Sequence, residues 1–280
     1  MDIAMSKGAP MNPIDFADFH QAALESDAVR HNLPLSIIER LRTQGEAGGI
    51  KYWTLGHPGA CALQTPGFPL LLCNLSRDEC RRFADLAVGL DFADVVGTGD
   101  TALQFAERAR EHGIVFDEKI PQAILSLDQE PAAPSVEGFS RLLATPDLPL
   151  FRDWIAGFIR EAVPRDDCPS DERLLAALGE HRHWVWIAGG VPVSMAAIGR
   201  RNRTAGAINS VYTLPGFRGR GYAGAITAVV AQQLFSEGRA FACLYVHKSN
   251  PASNRCYAKL GFKPVCDAWH IVRSKLGLHK

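Results

Sequence analysis

The run Arg218-Gly-Arg-Gly-Tyr-Ala223 carries the most explicit chemistry in this sequence. It comes after a β-rich stretch ending at Thr213 and a Pro215-Gly216 break, and it leads into Ala223, Ile226, Val230 and Leu234 at helical spacing. A glycine-rich turn that opens straight onto a helix is an anion site in outline. The first helical amides lack partners, the dipole end is positive, and glycines let the backbone come close to a ligand. Arg218 and Arg220 add formal charge to the same turn. Phosphate oxygens are the ligand that such a turn suits.

Gly219, Gly221 and Gly224 also spell G-x-G-x-x-G, the dinucleotide fingerprint, which needs an acid about 20 residues on to take the ribose hydroxyl. The next strand, Phe241 to Val246, ends instead in His247 and Lys248. The required carboxylate is absent. An ordinary βαβ unit with a glycine turn is the plain alternative, but the chain continues with NPASNRCYAKLGF, from Asn250 to Phe262. Here the sequence resembles the GNAT superfamily of acyl-CoA N-acyltransferases. Arg218, Gly221 and Ala223 fit its R/Q-x-x-G-x-G/A phosphate loop, and Asn250, Ser253, Tyr257, Gly261 and Phe262 fit its second motif. Two motifs at the right separation are more specific than either alone.

The resemblance implies an acetyl-CoA cosubstrate, with Arg218, Gly219, Arg220, Gly221, Tyr222 and Ala223 on its pyrophosphate. It also implies that the preceding strand splays from its neighbour, so that the main chain of Val211, Tyr212 and Thr213 meets the pantetheine and the thioester carbonyl, one N–H serving as oxyanion donor. Asn250 and Ser253 complete the expected cofactor contacts, Asn250 also capping the helix that carries Tyr257. Tyr257 is the expected acid for the departing thiolate. A phenol near pKa 10 is weaker than a thiol near 8.5, so full transfer is uphill by roughly 2 kcal/mol and a hydrogen bond to sulfur is enough. A tyrosine simply packed above the Gly261-Phe262 turn is the bland reading.

Glu161 is the general-base candidate, because its spacing from Trp154 and Phe158 sets a carboxylate beside an apolar helix face, where partial burial would raise its pKa. A water relay competes with it. His181 and His183 are two ligands without a third, read as a solvated helix end, and no metal is expected. Neither G-x-S-x-G nor G-K-[ST] occurs, which argues against a serine hydrolase or a P-loop NTPase.

Zero net charge hides an asymmetry. Residues 181–266 hold eleven Lys and Arg against one acid, Glu237, a net +10, while residues 1–180 carry 16 basic and 28 acidic side chains, a net −12. The positive segment is the one expected to meet a polyanionic cofactor. It lacks a recognition-helix pattern or interleaved aromatics, so no nucleic-acid partner is expected, and Arg200, Arg201 and Arg203 read as solvated charges at a hairpin tip. Seven cysteines without a C-x-x-C pair argue against a disulfide framework or structural zinc, and Cys243 and Cys256 read as small core residues. With no basic-then-apolar opening and no membrane-length apolar run, the expectation is a cytoplasmic protein without a membrane partner, monomeric or homodimeric.

The elements that must position these residues form an α/β (α+β) pattern. Residues 1–13 read as a disordered lead-in, 14–128 as a first domain, 129–139 as a Pro-containing linker, and 140–280 as the second domain. In the second, Thr145-Pro146-Asp147 starts a helix bearing Leu150, Trp154, Phe158 and Glu161, and Gly189-Gly190 joins two strands as a hairpin. The order helix-helix-strand-strand-strand-helix-strand-helix-strand is that of the superfamily. The first domain looks like a worn copy, whose loop Gly97-Thr-Gly-Asp-Thr-Ala102 has no arginine and carries Asp100, which repels phosphate. The resemblance thus implies two GNAT-like halves in tandem, each a mixed, mostly antiparallel sheet flanked by helices. The activity it implies is acetyl transfer to a small-molecule amine by direct transfer in a ternary complex, a catalytically silent acyl-CoA sensor being the alternative.

Overall fold

The computed structural model describes residues 11–274. The chain divides into two compact units. Among the described residues the first takes 11–124 together with Tyr245–Ser249 and 264–274; the second takes Leu125–Leu244 and Asn250–Lys263. Residues 1–10 of the expected lead-in lie outside the described residues. Asn12 already belongs to the fold, since its side chain accepts from the amides of Ile14 and Asp15 and caps the first helix, with Pro13 at its start.

In the first unit α1 (Pro13–Glu25) and α2 (Asn32–Gln44) precede β1 (Lys51–Thr54), β2 (Cys61–Gln64) and β3 (Leu70–Cys73). Then come α3 (Arg77–Leu86), β4 (Asp94–Thr98), α4 (Thr101–Glu111) and β5 (Phe116–Leu127), whose last three residues belong to the second unit. Strand alternation builds two cores. Cys61, Leu63, Leu71 and Cys73 face Phe16, Leu24, Ile38 and Leu41, while Ala62, Leu70, Leu72 and Val95 face Phe83 and Phe105. Ser76 and Glu79 form a capping box at the start of α3.

After the end of β5 the second unit holds β6 (Phe139–Leu142), α5 (Leu148–Ala162), α6 (Asp171–Gly179), β7 (His183–Ala188), β8 (Val191–Arg201), β9 (Ala205–Thr213), α7 (Tyr222–Ser236), β10 (Phe241–His247), whose last three residues belong to the first unit, and α8 (Pro251–Lys259). β6, β7, β8 and β9 are antiparallel neighbours in that order, and β10 joins β9 in parallel. Gly189 and Gly190, at φ 55° and 77°, make the expected β7–β8 turn, a conformation open to glycine at little cost. Phe151, Trp154 and Ile155 of α5 and Leu174 and Leu178 of α6 pack on Val185, Ile187, Met195 and Tyr212. α7 lies against β7, β8 and β9. Gly206 lets it approach, because a β carbon there would fall 2.2 Å from Leu234 Cδ2.

Three features depart from the reading of the sequence. β6 lies where a linker was expected to end, and pairs with β7 from Phe139–Ile187 to Leu142–Trp184. β11 (Lys263–Arg273), placed by sequence in the domain 140–280, finds its backbone partners on β4, from Ala268–Thr98 to Val272–Asp94, inside the first unit. Periodicity marks a strand but not its partner, which is settled by which edge offers matching hydrogen bonds and apolar faces. The third is the Arg200–Arg203 tip. Arg201 makes a two-pronged ion pair with Glu237 at the end of α7, at 2.8 and 3.0 Å, and Arg239 donates to the carbonyls of Asn202 and Arg203. Arg201, read as a solvated charge, therefore clamps the hairpin together with Arg239.

Candidate functional site

The chain reaches the phosphate turn through β9, which is irregular where it matters. β8 and β9 slip register between the pairs Met195–Tyr212 and Ala197–Asn209, leaving an extra residue on β9, and Ser210 stands there at φ 51°. A non-glycine residue in that region costs energy that the neighbouring pairing must hold in place. The parallel pairing with β10 covers Ala205–Phe241, Gly206–Ala242 and Ala207–Cys243, so β9 continues through Val211, Tyr212 and Thr213 beyond its paired stretch. On its other side the same stretch stays paired with β8, through Tyr212–Met195 and Thr213–Ser194. The strand end is pinned by a residue the sequence reading missed: the buried Ser194 hydroxyl donates to the Tyr212 carbonyl at 3.0 Å and shares a 2.8 Å hydrogen bond with Thr213 Oγ1. A serine within an apolar strand was the only signal.

After a short helical turn at Pro215–Phe217 the chain forms the glycine turn and enters α7. Gly219 and Gly221 have φ 76° and 87°, and Gly221 is the N-cap residue, with no side chain to occupy the orphan amides. Tyr222 and Ala223 are the first residues of the helix, half-buried, and Arg220 is exposed with its guanidinium 5.4 Å from the Phe217 ring centroid.

Arg218 does not point along the turn. Its Nε donates to the Thr213 carbonyl at 2.9 Å, its Nη2 donates to both Glu161 oxygens at 2.9 and 2.7 Å, and its guanidinium carbon lies 5.7 Å from the Tyr212 ring centroid. The structure thus joins the expected phosphate ligand to the expected base. The partial burial argued for Glu161 is absent, since its side chain is 41 % exposed. Spacing beside Trp154 put Glu161 near the apolar face, but it stands in the last turn of α5 with its side chain exposed.

α8 supplies the rest. Asn250 caps it by accepting from the Ser253 amide at 3.0 Å, as expected, and Asn254 Nδ2 donates back to the Asn250 carbonyl. Tyr257 is 8 % exposed, and its ring is 6.0 Å from that of Phe262. Burial, then the neighbouring Cys256, pushes its phenol well above the usual range, while a hydrogen bond with the Ser253 side chain works the other way. Tyr257 therefore keeps its proton and stays a donor. Cys243 is fully buried and its thiol is pushed up to about 12, the inert core residue expected, while Cys256 is half-buried, its sulfur 3.7 Å from a β carbon built on Gly224.

The other chemistry-bearing residues are structural. His183 is not a solvated helix end: it stacks edge-on against Phe151 at 4.7 Å, and burial, reinforced by Arg182, lowers its pKa to about 4. Among the described residues no cluster of three or more His, Cys, Asp or Glu side chains could hold a metal. In the first unit two donors of the loop after β4 are taken. The Gly99 amide gives its hydrogen to the Asp267 carbonyl of β11 at 2.8 Å, and Thr101 Oγ1 donates to the Thr98 carbonyl. No helix among the described residues is long and apolar enough to cross a membrane.

A strand that outruns its pairing with β10, a glycine turn at a helix start and a capped helix carrying a buried tyrosine make up this part of the second unit. Residues 149–262 match the model of the Acetyltransferase (GNAT) family, so this stretch is a GNAT domain. Solved structures share the fold over most of the chain. A Drosophila protein superposes with TM-score 0.61 at 12 % identity, over 95 % of this chain and 92 % of its own. A GCN5-related N-acetyltransferase from Kribbella flavida gives 0.55 at 16 % identity, over 85 % and 95 %. A tandem GNAT protein from the clavulanic acid biosynthesis pathway gives 0.53 at 12 % identity, over 90 % and 94 %. The likeness thus extends to the N-terminal half, which is GNAT-like in structure. No curated protein matches the chain.

Proposed function

We propose that the protein transfers an acetyl group from acetyl-CoA to the amine of a small molecule, directly, within a ternary complex. The observation that carries this reading is that the second unit holds the glycine turn, the end of β9 beyond its pairing with β10 and the Tyr257 hydroxyl donor within one compact body. The amides from Gly219 to Ala223 would hold the phosphates of an acyl cofactor, and the main chain of Val211–Thr213 would take its thioester and offer an N–H to the developing oxyanion. The amine nitrogen attacks the thioester carbon, the tetrahedral intermediate collapses, and the C–S bond breaks. Tyr257 hydrogen-bonds the leaving sulfur; its raised pKa makes it a donor and not a source of a full proton.

The Glu161–Arg218 pair gives both residues their roles in sequence. Phosphates compete with Glu161 for Arg218, and when Arg218 turns to them the carboxylate is released to accept the proton of the attacking amine, directly or through water. Glu161 is then a base only in the loaded enzyme.

Calorimetry with acetyl-CoA, followed by a thiol-release screen over an amine library, tests the reading. One acetyl-CoA bound per chain and thiol release that depends on the amine are expected. Tight binding with no thiol released for any amine overturns the transferase reading in favour of a silent acyl-CoA sensor; no binding overturns both.

A further inference from the structure

The segment between the two sequence-defined domains is not a free tether. Pro131 is buried and its carbonyl accepts from Gln232 Nε2 on α7 at 3.0 Å. Further on, Trp186 Nε1 donates to the Glu137 carbonyl at 3.1 Å, and a β carbon on Gly138 would fall 2.3 Å from the Ile187 carbonyl. Between these anchors Val136 lies against the glycine turn, its Cγ1 2.9 Å from where a β carbon on Gly221 would stand. Spacing accounts for the path. From Gly221 to Gln232 an α-helix rises about 16 Å, and the five residues from Pro131 to Val136 span about the same when extended. The chain therefore runs as a strap beside α7, against its direction, and arrives at the helix start where the orphan amides are.

We infer that the strap is part of the cofactor site, with Val136 and the exposed Ser135 bordering the nucleotide end of a coenzyme A whose phosphates occupy the glycine turn. This rests on the reading of that turn as the cofactor's anchor. A side chain in van der Waals reach of Gly221 borders whatever binds the amides on either side of it, and Val136 is half-buried, so it has surface left to offer. The charges at this place are Arg218, paired with Glu161, and Arg220 on the turn, and Glu137 on the strap, whose exposed side chain comes directly after Val136. No sequence motif marks the strap, because its role comes from where its anchors hold it.

The test is a charge pair at one position. Val136→Asp and Val136→Lys are compared with wild type for coenzyme A affinity by calorimetry at low and high salt. If bound phosphates lie beside residue 136, the Lys variant binds at least about tenfold tighter than the Asp variant at low salt, and the gap narrows as salt screens it. A merely structural role moves both variants the same way, and equal affinities overturn the proposal. Should either variant fail to fold, hydrogen exchange on the wild type decides: saturating coenzyme A slows the amides of Ser135, Val136 and Glu137 if the strap borders the ligand, and unchanged exchange there overturns it. A wild type that binds no coenzyme A sinks the anchor reading itself, an outcome distinct from binding with an indifferent strap.

Discussion

Glu161 and Arg218 are 57 residues apart in the chain, and they meet through Arg218 Nη2, which lies 2.9 and 2.7 Å from the two carboxylate oxygens. Both side chains are more than a third exposed, so water screens the pair and it is worth well under 1 kcal/mol. A pair that weak is suited to exchange. A pyrophosphate bound on the proposed turn would offer Arg218 a doubly charged partner, and the exchange would cost little.

Glu161→Gln should therefore separate binding from turnover. Without a carboxylate to compete, Arg218 is free for phosphate and acetyl-CoA affinity rises about two- to fivefold. In the same variant kcat falls by roughly ten- to a thousandfold if the carboxylate takes the amine proton. Calorimetry and steady-state kinetics on the variant check the two; unchanged kcat with chemistry rate-limiting removes Glu161 from the reaction.

Arg218→Ala removes the proposed phosphate partner and also the bond that holds the Thr213 carbonyl. A charge-assisted bond lost costs about 1.5 to 3 kcal/mol, roughly ten- to hundredfold in affinity, reduced by the few tenths no longer spent on separating the ion pair. The double variant with Glu161→Gln should bind as the Arg218 single variant does. A further loss in the double variant would mean that Glu161 contacts the cofactor by another route.

Tyr257→Phe keeps the ring against Phe262 and deletes only the hydroxyl. Acetyl-CoA affinity should change little while kcat falls about ten- to a thousandfold. Because the folded state holds the phenol's pKa above its unfolded value, the wild type gains stability below about pH 10 that disappears as pH rises through the folded value. The variant lacks that term, so its alkaline unfolding limb should be shallower.

Gly157→Ala runs against helix propensity. In an exposed helix interior the change stabilises by about 1 kcal/mol, but here a β carbon would lie 2.5 Å from the Tyr212 hydroxyl and 2.8 Å from its ring carbon. Overpacking of this kind costs about 1 to 3 kcal/mol and pushes Tyr212 from its place beneath Arg218. A lowered Tm with weakened acetyl-CoA binding is expected, and adding Tyr212→Phe, which removes the clashing oxygen, should restore part of the stability.

Acid stability should fall in a defined window. His20 is fully buried in the first unit, accepting from the Gly59 amide on Nδ1 and donating from Nε2 to Thr54 Oγ1, and burial, then His57, lowers its pKa to about 4. His183 in the second unit is lowered to about 4 as well. With folded values below the unfolded 6.5, both contribute stability that is complete above about pH 6.5 and lost as pH falls through about 4. Protonated His20 could no longer accept from Gly59. Chemical denaturation at stepped pH should show this decline, and His20→Gln should flatten part of it.

The amino-acid sequence by itself determined the elements and the chemistry of single short stretches. The apolar period along α7, the glycines at 219 and 221, the Asn250 cap and the Gly189-Gly190 turn are local effects. Each is set by residues within a turn or two, so their types and spacing were enough to place them. Tertiary structure alone decided which distant groups meet. Glu161 found Arg218, Ser194 pinned the end of β9, Val136 reached Gly221, and β11 paired with β4. Such contacts depend on the path of the chain between them, and a side chain's type does not record what stands opposite it. The strap looked like a linker because Pro and Ala at 131–134 carry no apolar period, yet two side-chain hydrogen bonds to its carbonyls, from Gln232 and Trp186, hold it in place. Backbone carbonyls are the same in every residue, so a segment held by them leaves no trace in its own composition.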